Sequence, residues 1–182
     1  MLSTCSLDSF CGLCEKRRSI RYFDTTPVSR EDINEVIEAA RLAPSVENTQ
    51  PWRFHVVLHK GLLEQLTRTA CYGNFIAGAS AFILVTCDQR MTPSTGETLW
   101  NPRELEFSCV AAMEHLVLAA TAKGLGSCWV SLHHGPAHDI LKLPTHETVI
   151  GGIMLGHPRK GEEEPSGPHE RRPLSGVVTF HE

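Results

Sequence analysis

Along this chain apolar residues switch between helical spacing and unbroken runs, and the switches predict its elements. Residues 6–18 read as a short helix. Pro27-Val28 marks a turn, and Ser29 with Asp32 resembles a capping box before a helix that runs to about Leu42. Ile33, Val36, Ile37 and Ala40 share one face of it, and Pro44 ends it. Residues 53–58 read as a strand and 61–70 as a helix. The run Ala81-Phe82-Ile83-Leu84-Val85 within 79–87 fits a strand buried on both faces. A polar loop follows over 88–100. Asn101 and Pro102 then open a long helix as N-cap and first residue, and Gly124 stops it after about Lys123. Residues 127–132 and 149–155 read as further strands. Residues 161–168 read as an acidic, Gly- and Pro-rich surface arm, and 177–180 as a last strand.

The long helix is apolar almost all round, from Leu105 and Phe107 through Val110, Met113 and Leu116 to Ala119. A helix of that kind is buried on most faces. Two arrangements achieve this: packing against a second copy of the chain, or a central place in a monomer. The order of helices between strands predicts an α+β or α/β sandwich around one sheet.

With 182 residues, 41% hydrophobic and 21% charged, the chain can bury a sizeable core. We read it as one domain over 1–182, with an N-terminal cysteine-containing helix or arm over 1–16 and a C-terminal arm over 157–182. A formal net charge of −4 argues against a nucleic-acid partner, which usually needs a concentrated basic surface. No apolar run approaches the roughly 20 residues that span a bilayer, so no membrane partner is expected. Residues 1–10 lack the basic and apolar regions of a secretory signal. These readings together predict a cytoplasmic protein.

The seven cysteines, an odd number, argue against a disulfide framework in such a setting. Cys87, Cys109 and Cys128 lie in apolar stretches, where a thiol acts as a small hydrophobe. Cys5, Cys11 and Cys14 stand at C-x5-C-x2-C. Zinc or an iron–sulfur cluster wants four ligands, so no metal is expected from these alone. Free thiols, a site completed from elsewhere, and a redox pair of Cys11 with Cys14 all stay open.

Two motifs carry chemistry. Lys16-Arg17-Arg18-Ser19-Ile20-Arg21 puts four cations in six residues. Guanidinium groups bind phosphate by charge-assisted, often bidentate hydrogen bonds, and Ser19 adds a hydroxyl donor. A solvated basic helix end has the same composition. The second motif, Ala43-Pro44-Ser45-Val46-Glu47-Asn48-Thr49-Gln50-Pro51-Trp52, joins a helix to a strand. Its amides match the alternating carbonyls and nitrogens of an isoalloxazine edge, or they satisfy a local turn.

Taken together, R-R-S-I-R and A-A-R-L-A-P-S-V-E-N-T-Q-P-W-R-F resemble the FMN-dependent nitroreductase family. A-K-G-L-G-S-C-W at 122–129, L-P…G-G-I-M-L-G-H-P at 143–158 and R-R-P-L at 171–174 extend the resemblance over nearly the whole chain. It implies an α+β three-layer fold with a central mixed, mainly antiparallel sheet, and an intertwined homodimer with FMN at the subunit interface. Arg17, Arg18, Ser19 and Arg21 match positions that hold the FMN phosphate, ribityl chain and ring edge. Ser45, Val46, Asn48 and Gln50 match a loop that meets FMN, partly from the partner subunit. Trp129, Val130 and Ser131 match a strand passing the ring, and Arg171 a C-terminal arginine that reaches the phosphate. Members pass a hydride from NAD(P)H through flavin N5 to a small-molecule electron acceptor (a nitroaromatic, quinone or activated alkene) in ping-pong order. The flavin does that chemistry, so no catalytic acid or base is required; His133 and His134 are the nearest candidates.

The chain departs from the resemblance in two places. Glu47 stands where many relatives have Gly, as a surface residue or as one that narrows the site or repels anions. The lid candidate over 92–103 has Glu97 and Trp100 but lacks the Tyr and Lys of the dehalogenase branch, which disfavours that activity. A flavin-binding redox sensor or carrier using the N-terminal cysteines is the alternative. A flavin-consuming, benzimidazole-forming enzyme is a third reading that no residue favours.

Overall fold

The structure, a computed structural model, describes residues 6–93, 95–96, 99, 101, 103–161 and 170–181. Its elements run α1 (Leu7–Lys16), α2 (Arg30–Ala40), β1 (Trp52–Val57), α3 (Lys60–Thr67), β2 (Ala81–Asp88), α4 (Glu104–Ala122), β3 (Gly126–Val130), α5 (His134–Leu141) and β4 (Glu147–Gly156). Single 3₁₀ turns occupy Val46–Asn48, Ile76–Gly78 and Leu174–Gly176.

The four strands form one antiparallel sheet in the order β1-β2-β4-β3. All eight residues of β2 are buried, as its unbroken apolar run requires of a central strand. Ala81, Ile83, Val85 and Cys87 face α2 and α4, whereas Phe82 and Leu84 face the opposite core with α3 and α5. The result is three layers: α2 and α4, the sheet, then α3 and α5. A parallel bridge between Ser19 and Ser127 adds the N-terminal segment beyond β3 and makes the pairing mixed, as expected.

β4 carries a bulge where its register against β2 slips between Val85 and Thr86. Ile153 and Leu155 face the α4 core, yet the equally odd-numbered Val149 faces the other core. The extra residue, Ile150, inverts the parity. Gly152 is required by close approach: a Cβ there would lie 1.9 Å from Phe82 Cζ.

Ser29 caps α2 as predicted, its Oγ accepting from the Asp32 amide at 3.0 Å and donating to the Asp32 carboxylate at 2.7 Å. Ile33, Val36 and Ala40 are buried beneath it. Lys123, just after α4, pairs with Asp32 and Glu35 at the same end of α2, at 2.8 and 2.5 Å. Gly124 then takes φ +75°, the left-handed conformation that stops α4.

Four expectations are corrected. α4 begins at Glu104, and Asn101 accepts from the Arg103 amide through Oδ1 at 3.0 Å, in a turn ahead of the helix rather than as its N-cap. Pro102, the acidic arm over 162–168 and the far terminus lie outside the described residues. α4 is also, at 19 residues and mean hydropathy 1.4, long and apolar enough to cross a bilayer, contrary to the sequence reading; eight of its residues are buried in the protein core. α5 went unpredicted because Gly135 and Pro136 break its pattern, although a proline in a first turn forfeits no helical hydrogen bond. Finally, 177–180 forms no strand: residues 170–181 are exposed throughout and pair with no strand among the described residues.

Candidate functional site

The chain leaves α1 at Arg17 and crosses the open edge of β3. The Ile20 amide donates to the Ser127 carbonyl at 2.8 Å, which holds Arg17, Arg18, Ser19 and Arg21 along the sheet margin. Three of them converge on Cys128. Burial holds its thiol above the usual range, while Arg21, Ser19 and Arg17 pull it down. Arg21 is oriented by its surroundings: Nη1 donates to the Ser19 carbonyl at 3.3 Å, and the guanidinium carbon lies 5.9 Å from the centre of the Phe75 ring. Phe75 in turn packs edge-on against Tyr22, with ring centres 5.8 Å apart. A cationic margin with a hydroxyl and a strand edge fits a phosphate-bearing ligand.

β3 passes directly beside this margin. Trp129 is 37% exposed and, like Met113 of α4, borders the Gly151 backbone. Val130 turns its side chain into the opposite core, so only its backbone can meet a ligand. Ser131 is exposed, and its carbonyl accepts from the Cys71 amide at 2.9 Å.

The loop carrying Ser45, Val46, Asn48 and Gln50 is built differently. The Val46 amide donates to Ser108 Oγ at 3.1 Å, and that hydroxyl donates to the Glu104 carbonyl at 2.7 Å, which ties the loop to α4. The Gln50 amide donates to Ser45 Oγ at 3.0 Å, and Thr49 Oγ1 to the Val46 carbonyl at 2.8 Å. Glu47, Asn48 and Gln50 sit at φ +46°, +53° and +47°, the left-handed region that L-residues other than Asn and Asp enter at a cost of roughly 1–2 kcal/mol. Between the loop and α4 runs a groove of about 300 Å³ lined by Pro44, Ser45, Val46, Glu104, Phe107 and Ser108, among others.

One protomer does not bring the two motifs together. The bridge at Ser19 lies beyond β3 at one corner of the sheet, level with Ala81, whereas the loop enters β1 at the opposite corner, level with Asp88. Four strand spacings of about 4.8 Å and seven residue rises of about 3.4 Å place these corners about 30 Å apart. Arg171 is exposed on the C-terminal segment, and its Nη1 donates to the neighbouring Glu170 carbonyl at 2.9 Å.

Sequence reasoning missed the polar cluster at the loop-side end of the sheet. The Asp88 side chain is fully buried and receives Arg53 and Arg90 at 2.9 Å each. Hydrogen bonds from Arg90 hold its carboxyl well below the usual range. Glu147 accepts from Thr86 and lies 2.7 Å from His55 Nε2. Arg90 is two residues from Asp88, but the other partners are 35 to 92 residues apart, so no local pattern signals the cluster. The Phe75–Tyr22 support of Arg21 is equally non-local.

His133 and His134 lie on the other face. The His133 amide donates to the Thr69 carbonyl at 2.7 Å, and His134 lines a groove of about 340 Å³ with His138, Asp139 and Glu147. Cys11 is exposed and Cys14 half-buried on α1. Cys5, Glu97 and Trp100 lie outside the described residues, among which no group of three or more His, Cys, Asp or Glu is placed to hold a metal ion.

A three-layer α+β frame with a cationic strand edge is the class this geometry defines. The nitroreductase family profile matches residues 14–71 and 62–157. A protein of Archaeoglobus fulgidus, provisionally named NADH dehydrogenase/NAD(P)H nitroreductase, is 32% identical over 148 residues, 79% of this chain and 82% of that one. The 5,6-dimethylbenzimidazole synthase of Rhodospirillum rubrum is 30% identical over 187 residues, 90% of this chain and 88% of that one. A crystal structure of a provisionally assigned nitroreductase from Desulfovibrio desulfuricans in complex with FMN superposes with a TM-score of 0.79 at 27% identity, over 98% of both chains. The chain belongs to the nitroreductase family.

Proposed function

We propose that this chain is an NAD(P)H-dependent FMN oxidoreductase that reduces a small-molecule acceptor (a nitroaromatic, quinone or activated alkene) in ping-pong order. The observation that carries this reading is the cationic margin of Arg17, Ser19 and Arg21 beside the exposed Trp129 of β3 and Ser131 just after it. When bound, FMN supplies two-electron redox chemistry at its N5 atom. Arg17, Arg18 and Arg21 neutralise its phosphate, and Ser19 donates a hydroxyl. Trp129 and the backbone of Val130 and Ser131 give the ring a surface along β3. Asn48 and Gln50 supply amides for the polar ring edge.

The working unit in this reading is a homodimer with FMN between subunits. Two features support it: the corner-to-corner separation of the motifs, and apolar surface that stays exposed among the described residues. Phe107 and Val110 of α4 are 57% and 41% exposed, and Leu174, Val177 and Phe180 of the C-terminal segment are exposed too. Arg171, carried on that segment, completes the phosphate grip.

The test is flavin binding followed by reduction. The purified protein is expected to be yellow or to take up FMN, and to bleach rapidly when mixed anaerobically with NADH or NADPH. Arg17→Ala removes charge-assisted hydrogen bonds worth about 1.5–3 kcal/mol, so FMN should bind roughly ten- to a hundredfold more weakly. No flavin uptake, or FMN affinity unchanged in Arg17→Ala, refutes the site. Binding without reduction by either nucleotide favours the sensor or carrier. The relationship to a benzimidazole synthase adds one outcome: aerobic consumption of FMN itself.

A further inference from the structure

The loop over 45–50 holds a residue that its own folding does not explain. Three non-glycine residues in four take positive φ, Glu47 among them at φ +46° and ψ 30°. Asn is a residue type that enters that region readily, and Gln50 Nε2 donates to the Asn48 backbone carbonyl at 3.3 Å. Glu47 has neither excuse. It is exposed, and among the described residues no hydrogen bond or ion pair engages its carboxylate. A glycine would adopt this backbone without strain. The inference from a strained residue runs toward the role of its side chain.

The surroundings indicate that role. Glu104 lines the groove together with Pro44, Ser45 and Val46, so a second carboxylate borders the loop that carries Glu47. The arginines nearest along the chain are already engaged, Arg41 with Glu38 at 2.6 Å and Arg53 with Asp88 at 2.9 Å. In the flavin-site reading Val46 and Asn48, on either side of Glu47, meet FMN, which would put the exposed carboxylate beside the bound flavin.

We propose that Glu47 is a specificity residue that makes the site discriminate against anionic electron acceptors and favour neutral or cationic aromatic ones. This rests on the flavin-site reading above. The carboxylate acts by charge alone. A like charge on the approach to a site weakens capture of an anion roughly three- to tenfold at low ionic strength, and the effect fades as the Debye length shortens with salt.

The experiment uses FMN-loaded protein with NADH or NADPH as donor and three acceptors of one shape: 4-nitrobenzoate, 4-nitrobenzamide and a 4-nitrobenzyl trimethylammonium salt. Glu47→Gln keeps the strained backbone and removes the charge. Glu47→Gly removes both. In Glu47→Gln, kcat/KM for the anion should rise roughly three- to tenfold, that for the cation should fall, and that for the amide should stay within about twofold. High salt should narrow the wild-type spread between acceptors and leave that of Glu47→Gln alone. Glu47→Gly should show the same charge response together with a higher Tm. Turnover with an unchanged anion-to-amide ratio in Glu47→Gln overturns this inference and leaves the flavin site standing. Failure of the FMN-loaded protein to reduce any of the three overturns the site reading, and the inference with it.

Discussion

A dimer with shared sites makes a prediction that no single-chain site can imitate. Arg17 and Gln50 occupy opposite corners of one sheet, about 30 Å apart by strand spacing and rise. If each flavin lies between subunits, Arg17 of one chain and Gln50 of the other serve the same molecule. Arg17→Ala should weaken FMN binding by about 1.5–3 kcal/mol, and Gln50→Ala, which removes a neutral hydrogen bond, by about 1 kcal/mol. Assayed at an FMN concentration between the wild-type and variant Kd values, either homodimer is mostly empty. The two variants are then co-expressed with different tags, and the doubly tagged heterodimer is isolated. It contains one site with both lesions and one with neither, so its activity should be about half that of the wild type by symmetry. If each chain built its own site, every site in the heterodimer would carry one lesion, and activity would equal the mean of the two parents. That mean, or a chain that stays monomeric in analytical ultracentrifugation at working concentration, refutes the shared-site reasoning.

Other predictions test the frame. Gly152→Ala drives a methyl into the Phe82 ring and should cost about 1–3 kcal/mol in urea unfolding, partly restored by Phe82→Leu; an unchanged midpoint contradicts the packing described. The depressed pKa of Asp88 sets an acid limit. The folded state binds fewer protons than the unfolded one there, so this contribution is full above about pH 4–5 and is lost as pH falls through the low folded value. Asp88→Asn should flatten that acid dependence of Tm and cost about 1–3 kcal/mol at pH 7, because charge-assisted hydrogen bonds from Arg53 and Arg90 are weakened while both guanidinium groups keep access to solvent.

How far the sequence could be read depended on whether a signal was local. The run over 81–85 announced a doubly buried strand because burial on both faces leaves no polar position, and Ser29 with Asp32 announced a helix start because capping spans one turn. α5 hid behind Gly135 and Pro136, and the terminal segment read as a strand although it pairs with no strand among the described residues. At the candidate site, the residue types of the cationic run and the amide loop were legible. Their placement was not, since the Ile20–Ser127 bond, the Arg21–Phe75 contact and the Val46–Ser108 tie join distant segments. The left-handed backbone of Glu47 and Gln50 was illegible for a different reason: neither residue type advertises it.

The bulge at Ile150 also limits how this chain can change over evolutionary time. It lets Ile153 and Leu155 serve one core while Glu147, at the other end of the same strand, reaches His55 and Thr86. Flattening the bulge at full strand length would turn Glu147 to the face of Ile153 and away from His55 and Thr86, whereas losing one residue here would let the strand shed the bulge and keep the carboxylate in place. Single-residue insertions between Glu147 and Gly151 should therefore be purged more stringently than single-residue deletions, so that the spare residue acts as slack that descent can take up.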